Sequence, residues 1–215
     1  SFTERQKIIR TQVEELASSL GAVAVIDDSL LDEVTGLVEW PVALAGSFES
    51  RFLEVPAEAL ILSMKEHQKY FHLEDSDGQL MPNFITVSNI DSKDPDQVIR
   101  GNERVIRPRL SDAAFFFETD KQTRLEDRVE KLRTIVFQQK LGTLHDKTTR
   151  VVALAGLIAQ KIGAPQAQAE RAALLCKTDL LSDMVLEFSD MQGIAGYYYA
   201  LADGEGEEVA AALAQ

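Results

Sequence analysis

The sequence predicts an α+β protein in which a mixed α/β module with a small antiparallel sheet precedes an all-helical domain. Strand-like alternation of apolar and polar residues occurs only up to Ile90. From about residue 108 onward, apolar residues recur at the three- and four-residue spacing of helices. These patterns divide the chain into an α/β module over residues 1–100, a basic and aromatic connector over 101–122, and a helical domain over 123–215.

Helices in the first module are predicted from their end signals. Thr3–Gln6 has the pattern of a capping box and opens a helix that ends at Gly21. Ser29 opens a second helix, which ends before Pro41 because the residue preceding a proline disfavours helical backbone. Pro56 suits the first turn of a third helix.

Strands are predicted in the second half of the same module. Val42–Phe48 and the nearby Phe52–Val55 have strand-like patterns. Tyr70–Leu73 and Asn83–Ile90 are predicted to form a hairpin, because Asp75–Gly78 between them has the composition of a turn.

Helices of the second domain are predicted from caps and apolar spacing. Thr143–Asp146 caps a long helix that Gly163 ends, and Pro165 opens the next. Further helices are predicted over 125–132 and 180–188, and the alanine-rich stretch over 205–215 is predicted to be helical or frayed.

Composition narrows the class of protein. A chain of 215 residues, 45% of them hydrophobic, can form one large or two small domains with a sizeable core. It has no apolar run of membrane-spanning length and no apolar signal core near its start, so we expect a cytoplasmic protein without a membrane partner. Cys176 is the only cysteine, which excludes an intrachain disulfide and fits a reducing compartment.

Charge is unevenly distributed along the chain. The net charge of −13 opposes general affinity for nucleic acid. Residues 99–150, however, hold 12 Lys/Arg and 8 Asp/Glu, and no basic residue follows Lys177. A polyanion is therefore expected to approach residues 99–150 and to avoid the C-terminal part.

Four arginines stand close together in this basic segment: Arg100, Arg104, Arg107 and Arg109. Guanidinium groups bind phosphates and carboxylates bidentately, so these residues are candidate contacts for an anionic ligand. Pro108 is expected to interrupt any helix through them and to leave at least one arginine free for a partner. The alternative is a surface helix whose arginines pair with neighbouring carboxylates.

Lys65 and Lys69 form a second basic cluster, with His67 and Tyr70, where a helix is predicted to end before a strand. Contact with an RNA backbone is one interpretation. The other is stabilisation of the lysines by the negative end of the helix dipole.

Seven short segments form an ordered series. They are Val38–Val42 (VEWPV), Met64–Phe71 (MKEHQKYF), Pro82–Phe84 (PNF), Gly101–Glu103 (GNE), Arg107–Ala113 (RPRLSDA), Gln139–Leu144 (QKLGTL) and Lys177–Asp179 (KTD). In this order they resemble the β subunit of the two-subunit bacterial glycyl-tRNA synthetases. That subunit is much longer than 215 residues, so the chain resembles an internal piece of it.

The resemblance implies a part in charging tRNA with glycine. ATP and Mg²⁺ would bind at the active site of the α subunit, so no cofactor and no catalytic residue are expected in this chain. The expected partners are the α subunit and tRNA(Gly), and a second β subunit is a further candidate. The resemblance makes the basic residues of both clusters candidate tRNA contacts: Arg100, Arg104, Arg107, Arg109, Lys65 and Lys69. The resemblance also implies a B3/B4-like first module, as in phenylalanyl-tRNA synthetase, and a degenerate HD-like helical domain.

His145 and Asp146 occupy positions at which HD-type hydrolases hold a metal ion. The later helix, which normally supplies a second His-Asp pair, carries Lys177 there, and a lysine opposes cation binding. No metal is therefore expected. Lys177 is expected either to pair with a carboxylate, such as Asp146, Asp179 or Glu187, or to contact a ligand.

Three functions remain open at this stage. The first is the tRNA-binding and assembly part of a glycine–tRNA ligase, which the ordered segments and the basic cluster favour. The second is a divergent HD-type metal-dependent phosphohydrolase, and the third is a protein–protein scaffold without RNA contact. The chain has no glycine-rich loop of the kind that cradles phosphates, so the fragment itself is not expected to bind ATP.

Overall fold

The structure is a computed structural model that describes residues 1–214 and confirms the α+β class. The chain forms two compact units, Ser1–Ala114 and the residues from Phe115 onward. Within residues 1–214, no helix combines the length and the apolar character that crossing a membrane requires.

The first unit combines helices with one four-stranded sheet. Its elements are α1 (Phe2–Ser19), β1 (Val23–Ala24), α2 (Asp28–Leu37), β2 (Val42–Ser47), α3 (Ala57–Leu62), β3 (Phe71–Glu74), β4 (Leu80–Ser88) and the start of α4 (Pro95–Asp120). The strands lie in the order β1-β3-β4-β2, and each neighbouring pair is antiparallel. The predicted hairpin is confirmed as β3–β4, with the Asp75 side chain accepting hydrogen bonds from the backbone N–H groups of Asp77 and Gln79.

Two predicted helix starts and one predicted strand in this unit are wrong. The second helix is capped by Asp27, whose side chain accepts from the Leu30 N–H, and not by Ser29. The first helix is capped by Ser1, whose hydroxyl accepts from the Glu4 N–H, and not by Thr3. The predicted strand over Phe52–Val55 is a 3₁₀ helix over Ser50–Glu54. Phe52 and Val55 are both buried, and a spacing of three places them on one side of a 3₁₀ helix, whereas a strand would direct them to opposite faces.

The core of the first unit lies between the sheet and the two N-terminal helices. α1 contributes Ile9, Val13 and Ala17, which are spaced by four residues along one helical face. They pack in one cluster with side chains of α2, β3 and β4, among them Leu31 and Phe71. Each fully buried aliphatic side chain of this kind contributes about 1.5–3 kcal/mol.

The strand β2 forms one edge of the sheet, but its outer backbone groups are partly covered. The Ala43 N–H donates to Oε1 of Gln12 over 2.9 Å, and the Ser47 N–H donates to Oε1 of Glu103 over 2.9 Å. Gly46 in this strand lies opposite Phe84 of β4, whose ring stacks on Tyr70 with centroids 4.5 Å apart. A Cβ atom at position 46 would overlap the Phe84 ring.

Helix α4 runs without interruption through Pro108, so the expectation that this proline breaks the helix is wrong. A proline inside a helix costs about 3 kcal/mol. Ile106 and Leu110, on either side of Pro108, are both fully buried. Together they supply about 3–6 kcal/mol of burial, which offsets the cost and keeps the segment helical.

The second unit is mainly helical. Its elements after α4 are α5 (Leu125–Arg128), β5 (Val136–Gln138), β6 (Gly142–Thr143), α6 (Leu144–Ile162), α7 (Gln166–Leu175), α8 (Asp183–Glu187), α9 (Ile194–Ala202) and α10 (Glu207–Leu213). The predicted caps of the long helix are confirmed, since the Thr143 hydroxyl accepts from the Asp146 N–H and Gly163 has φ +73°.

The two-stranded sheet β5–β6 is a correction to an all-helical second domain. Its strands are too short for a period-two pattern to be read from the sequence, and all three residues of β5 are exposed. The helices predicted over 125–132 and 180–188 are each divided into a short α-helix and a 3₁₀ helix.

A buried polar cluster around Asp120 joins four helices of the second unit. The Asp120 carboxylate accepts from Arg128 over 3.2 Å and from the Tyr199 hydroxyl over 2.8 Å. It also accepts the N–H groups of Asp183 and Met184, each over 2.9 Å, in the first turn of α8. Arg128 donates further to the backbone oxygens of Thr123, Leu181 and Asp120 itself. The charges are therefore both paired and hydrogen-bonded, as burial requires.

We expect Asp120→Ala to destabilise the second unit by about 3–5 kcal/mol, because it leaves Arg128 buried without a counter-charge. Urea unfolding followed by far-ultraviolet circular dichroism measures the change. Glu118→Ala is the matched control, since this exposed carboxylate pairs within residues 1–214 only with Lys121 and its removal should cost less than about 1 kcal/mol. Equal effects of the two substitutions would contradict the central role of Asp120.

Replacing Gly46 by alanine is expected to destabilise the first unit by about 1–3 kcal/mol, because the new methyl group displaces the Phe84 ring. Gly101→Ala in α4 is the control: a Cβ atom there meets nothing within 4 Å. This control should be neutral or stabilising by up to about 1 kcal/mol. Chemical denaturation of both variants tests the pair, and a neutral Gly46→Ala would show that the ring is not held against β2.

Candidate nucleic-acid interface

Three of the four arginines that were predicted to contact tRNA share one face of α4. Arg100, Arg104 and Arg107 follow the i, i+4, i+7 spacing, which places them in one row on a continuous helix. The same helix buries Ile106, Leu110 and Ala113 on a different side, so the row lies beside the packed face. All three arginines are exposed. The row formed by Arg100, Arg104 and Arg107 is called the arginine row below.

The members of the row differ in their partners. Arg107 Nε donates to Oε1 of Glu49 over 2.7 Å, and this partly exposed ion pair fixes its guanidinium. Arg100 and Arg104 make no ion pair or hydrogen bond through their side chains with any residue in 1–214. Glu103, the nearest carboxylate in sequence, instead accepts hydrogen bonds from Ser47 of β2. Two guanidinium groups of the row are thus available to a ligand.

Arg109 does not belong to the row. It lies two residues beyond Arg107, which on a helix places it on the opposite side. It is exposed and, within the described chain, has no ion-pair partner; the alternative pairing with Asp112 is not formed.

The predicted lysine cluster is engaged by carboxylates of the same unit. Lys65 Nζ lies 3.1 Å from Asp27 and Lys69 Nζ lies 3.0 Å from Glu33. The Asp27 carboxylate also accepts from the Ser29 hydroxyl and from the Leu30 N–H at the start of α2, and these bonds hold its pKa far below the usual value. Both lysines thus form ion pairs with α2 or its capping residue. Arg100 and Arg104 of the arginine row, which have no such pairs within residues 1–214, are more available to a ligand than these lysines.

The first two residues of the predicted degenerate HD site, His145 and Asp146, have structural partners. Asp146 accepts from the N–H and hydroxyl of Thr143, over 2.8 and 2.9 Å, and these bonds lower the pKa of its carboxyl. His145 Nε2 lies 3.4 Å from the exposed Glu130 carboxylate. In residues 1–214, no group of three or more His, Cys, Asp or Glu side chains is arranged to hold a metal ion. The observed role of Asp146 is to complete the capping box that Thr143 forms at the start of α6.

The other two residues of the predicted site, Lys177 and Asp179, do not pair with each other. Among the described residues, Lys177 forms no ion pair, so the expected pairing with Asp146, Asp179 or Glu187 is not found. Asp179 is 1% exposed, and its Oδ2 accepts from the Gly193 N–H over 2.5 Å, just before α9 begins. Its Oδ1 is buried without a partner, and burial raises the pKa of this carboxyl above the usual 3.8.

Sequence reasoning missed two ionic clusters in the second unit. One is the Asp120–Arg128 pair, and the other joins Arg171 of α7 to Glu205 and Glu126. Their partners are 8, 34 and 45 residues apart, so local spacing carries no signal for the longer pairs. The local indication for Arg128 is its helical position, because among several charged neighbours it falls on the apolar face formed by Leu125 and Leu132.

Comparison with known proteins identifies the family. The whole chain, residues 1–215, matches the family described as the glycyl-tRNA synthetase beta subunit. It is 65% identical over 213 residues to the glycine–tRNA ligase beta subunit of Marinobacter nauticus. It is 59% identical over 212 residues to the proteins of that name from Photorhabdus laumondii and from Pseudomonas syringae pv. tomato. Each alignment covers 99% of this chain but only 31% of the relative.

These relatives are components of aminoacyl-tRNA synthetases, the ligases that charge tRNA. Within that class, the chain belongs to the glycyl-tRNA synthetase β-subunit family, and the resemblance drawn from the seven ordered segments is confirmed. The chain corresponds to slightly less than a third of the length of the curated relatives it matches.

The buried carboxyl of Asp179 predicts a specific pH dependence. Because its pKa is raised in the folded state, the folded chain holds this proton to higher pH than the unfolded chain does. The contribution of Asp179 to the free energy of unfolding should therefore fall as pH rises above 3.8, until its folded-state pKa is passed. Asp179→Asn keeps an acceptor oxygen for Gly193 and removes this titration.

The stability of Asp179→Asn relative to the parent chain should accordingly improve as pH rises from about 3 to about 8. Urea denaturation at several pH values measures this difference, in which the contributions of the other carboxylates cancel. A difference that is constant across the range would show that Asp179 titrates normally.

Proposed function

We propose that this chain is a tRNA-contacting and assembly part of the β subunit of a glycine–tRNA ligase. Family membership supports the ligase, and the arginine row is the observation that supports the tRNA contact. In this proposal tRNA(Gly) and the α subunit are the partners, a second β subunit is a further candidate, and the ligase acts in the cytoplasm. ATP and Mg²⁺ serve the α subunit, where glycine is activated.

The row fits a phosphate backbone for two reasons. Residues four apart on one helical face are separated by about 6 Å along the axis, so long side chains from Arg100 and Arg104 can reach neighbouring phosphates of one strand. Guanidinium groups donate bidentate hydrogen bonds to phosphate oxygens, and such contacts carry most of the affinity for a nucleic acid.

The overall negative charge supports a restricted contact area. A chain of net charge −13 repels a polyanion over most of its surface. A tRNA bound through the arginine row would therefore be oriented by the small region that attracts it, while Glu49 holds Arg107 in place beside the two free guanidinium groups.

The double substitution Arg100→Ala/Arg104→Ala in the complete ligase should weaken tRNA binding. It should also reduce the slope of log K against log salt by about one unit for each phosphate that an arginine no longer neutralises. Filter binding or fluorescence anisotropy from about 50 mM to about 200 mM salt measures the slope. Glycine-dependent exchange of pyrophosphate into ATP should remain unchanged, since it requires only the α-subunit chemistry.

Arg109→Ala is the matched control, because this arginine is also exposed and also without an ion-pair partner in the described residues, but lies on the opposite side of the same helix. It should leave the salt slope as it is. An unchanged slope in the double variant, or an equal reduction in the control, would remove the arginine row as a tRNA contact.

A further inference from the structure

The outer side of α6 exposes an apolar stripe. Leu154, Leu157 and Ile158 follow the i, i+3, i+4 spacing of one helical face and are 57%, 56% and 57% exposed. The opposite side of the helix already packs inside the second unit, burying Thr148, Gly156 and Ala159 among others. Single exposed leucines are ordinary, but a contiguous row of three is typical of an interaction surface.

The β5–β6 hairpin extends this apolar area. Phe137 and Leu141 in the hairpin are 40% and 54% exposed. The hairpin is attached to α6 through two cations, since Lys147 Nζ lies 4.4 Å from the centroid of the Phe137 ring and Arg150 donates to the Leu141 carbonyl oxygen over 3.1 Å. Hairpin and helix thus form one surface.

Cations flank the stripe. Lys147, Arg150 and Lys161 fall on the same side of α6 as Leu154 and Ile158. Residues 131–161 contain six Lys/Arg and a single acidic residue, Asp146, in a chain whose net charge is −13. The Asp146 carboxylate is occupied by the N–H and hydroxyl of Thr143 in the capping box of α6. Within residues 1–214, none of the three flanking cations forms an ion pair.

We propose that this surface, formed by the outer side of α6 and the β5–β6 hairpin, docks an amphipathic helix of a protein partner whose apolar stripe is flanked by Asp and Glu residues. The apolar row of α6 requires an apolar counterpart, and its helical spacing matches the ridges of a second helix. The unpaired cations require carboxylates, which would fix the register and orientation of the docked helix. This inference rests on the assembly role proposed above and identifies the surface that would serve it.

Nucleic acid fits the same surface less well. Phosphates and sugars would satisfy the three cations, but leucine and isoleucine side chains offer them no hydrogen bond, and covering the stripe with polar groups gains little. The arginine row of α4 shows the contrasting arrangement, in which free guanidinium groups stand without a row of exposed leucines.

A second copy of the chain is also a poor occupant. A twofold contact of α6 against α6 would bring Lys147, Arg150 and Lys161 against the same three cations. A contact between this surface and the acidic residues after Lys177 of another copy would be head-to-tail, which produces a ring or an open filament and not a twofold pair.

A site-specific photocrosslink in the complete ligase, containing both subunits, tests the proposal. Benzoylphenylalanine replaces Leu154 in the stripe or, as the matched control, Gln160, which is exposed on another side of the same helix. Mass spectrometry of the digested products identifies the crosslinked segment. We expect position 154 to capture a segment with apolar residues at helical spacing flanked by Asp and Glu, and position 160 to capture no such segment.

Charge exchange supplies a second measurement on the same ligase. Lys161→Glu should lower the crosslink yield from position 154 by about tenfold, whereas Lys161→Arg should retain it. Circular dichroism verifies that both variants are folded, which is expected because Lys161 is exposed and has no ion-pair partner within residues 1–214.

Four outcomes would overturn the proposal: crosslinks to tRNA, crosslinks to residues 1–215 of another copy, a yield at position 154 no greater than at position 160, and equal yields for the two Lys161 variants. None of these would alter the salt slopes of the α4 variants. A failure of the docking surface is therefore distinguishable from a failure of the proposed tRNA contact.

Discussion

The buried carboxylate of Asp120 is the constraint on which the second unit depends. It neutralises Arg128, receives the Tyr199 hydroxyl and caps α8, so one side chain fixes elements that lie 8 to 79 residues away along the chain. α8 has only five residues and is too short to be stable as an isolated helix. A buried ion pair is a weak source of net stability but a strong determinant of geometry, because every wrong arrangement leaves a charge unpaired.

The elements that could be predicted from the sequence are those with local causes. The cap at Thr143, the stop at Gly163 and the β3–β4 hairpin each depend on residues within a few positions, and all three are confirmed. Pro108 shows the limit of local rules, since burial of Ile106 and Leu110 outweighs the intrinsic preference of proline. The β5–β6 hairpin was missed because its exposed strands are too short to carry a pattern.

For the candidate site, too, only the features with local causes could be predicted from the sequence. The cluster of arginines is visible in the sequence, but the separation of Arg109 from the row became evident only when the helix proved to be continuous. Lys65 and Lys69 were equally plausible contacts until Asp27 and Glu33, which are distant in sequence, were found beside them. Which cations are free is a tertiary property, because a carboxylate many residues away decides it. Composition can therefore locate a basic region without showing which of its charges are available.

The side-chain bonds along β2 have a consequence for how the chain behaves at high concentration or during synthesis. An open strand edge invites pairing with other chains and begins sheet-like aggregates. Here two outward N–H groups of β2 already have acceptors: Ala43 donates to Gln12 and Ser47 donates to Glu103. The Glu103 acceptor also carries a negative charge. An incoming strand would have to displace both side chains and accept a carboxylate against its own backbone oxygens. The sheet thus ends in a border that discourages further strands, although β2 is rich in small apolar residues.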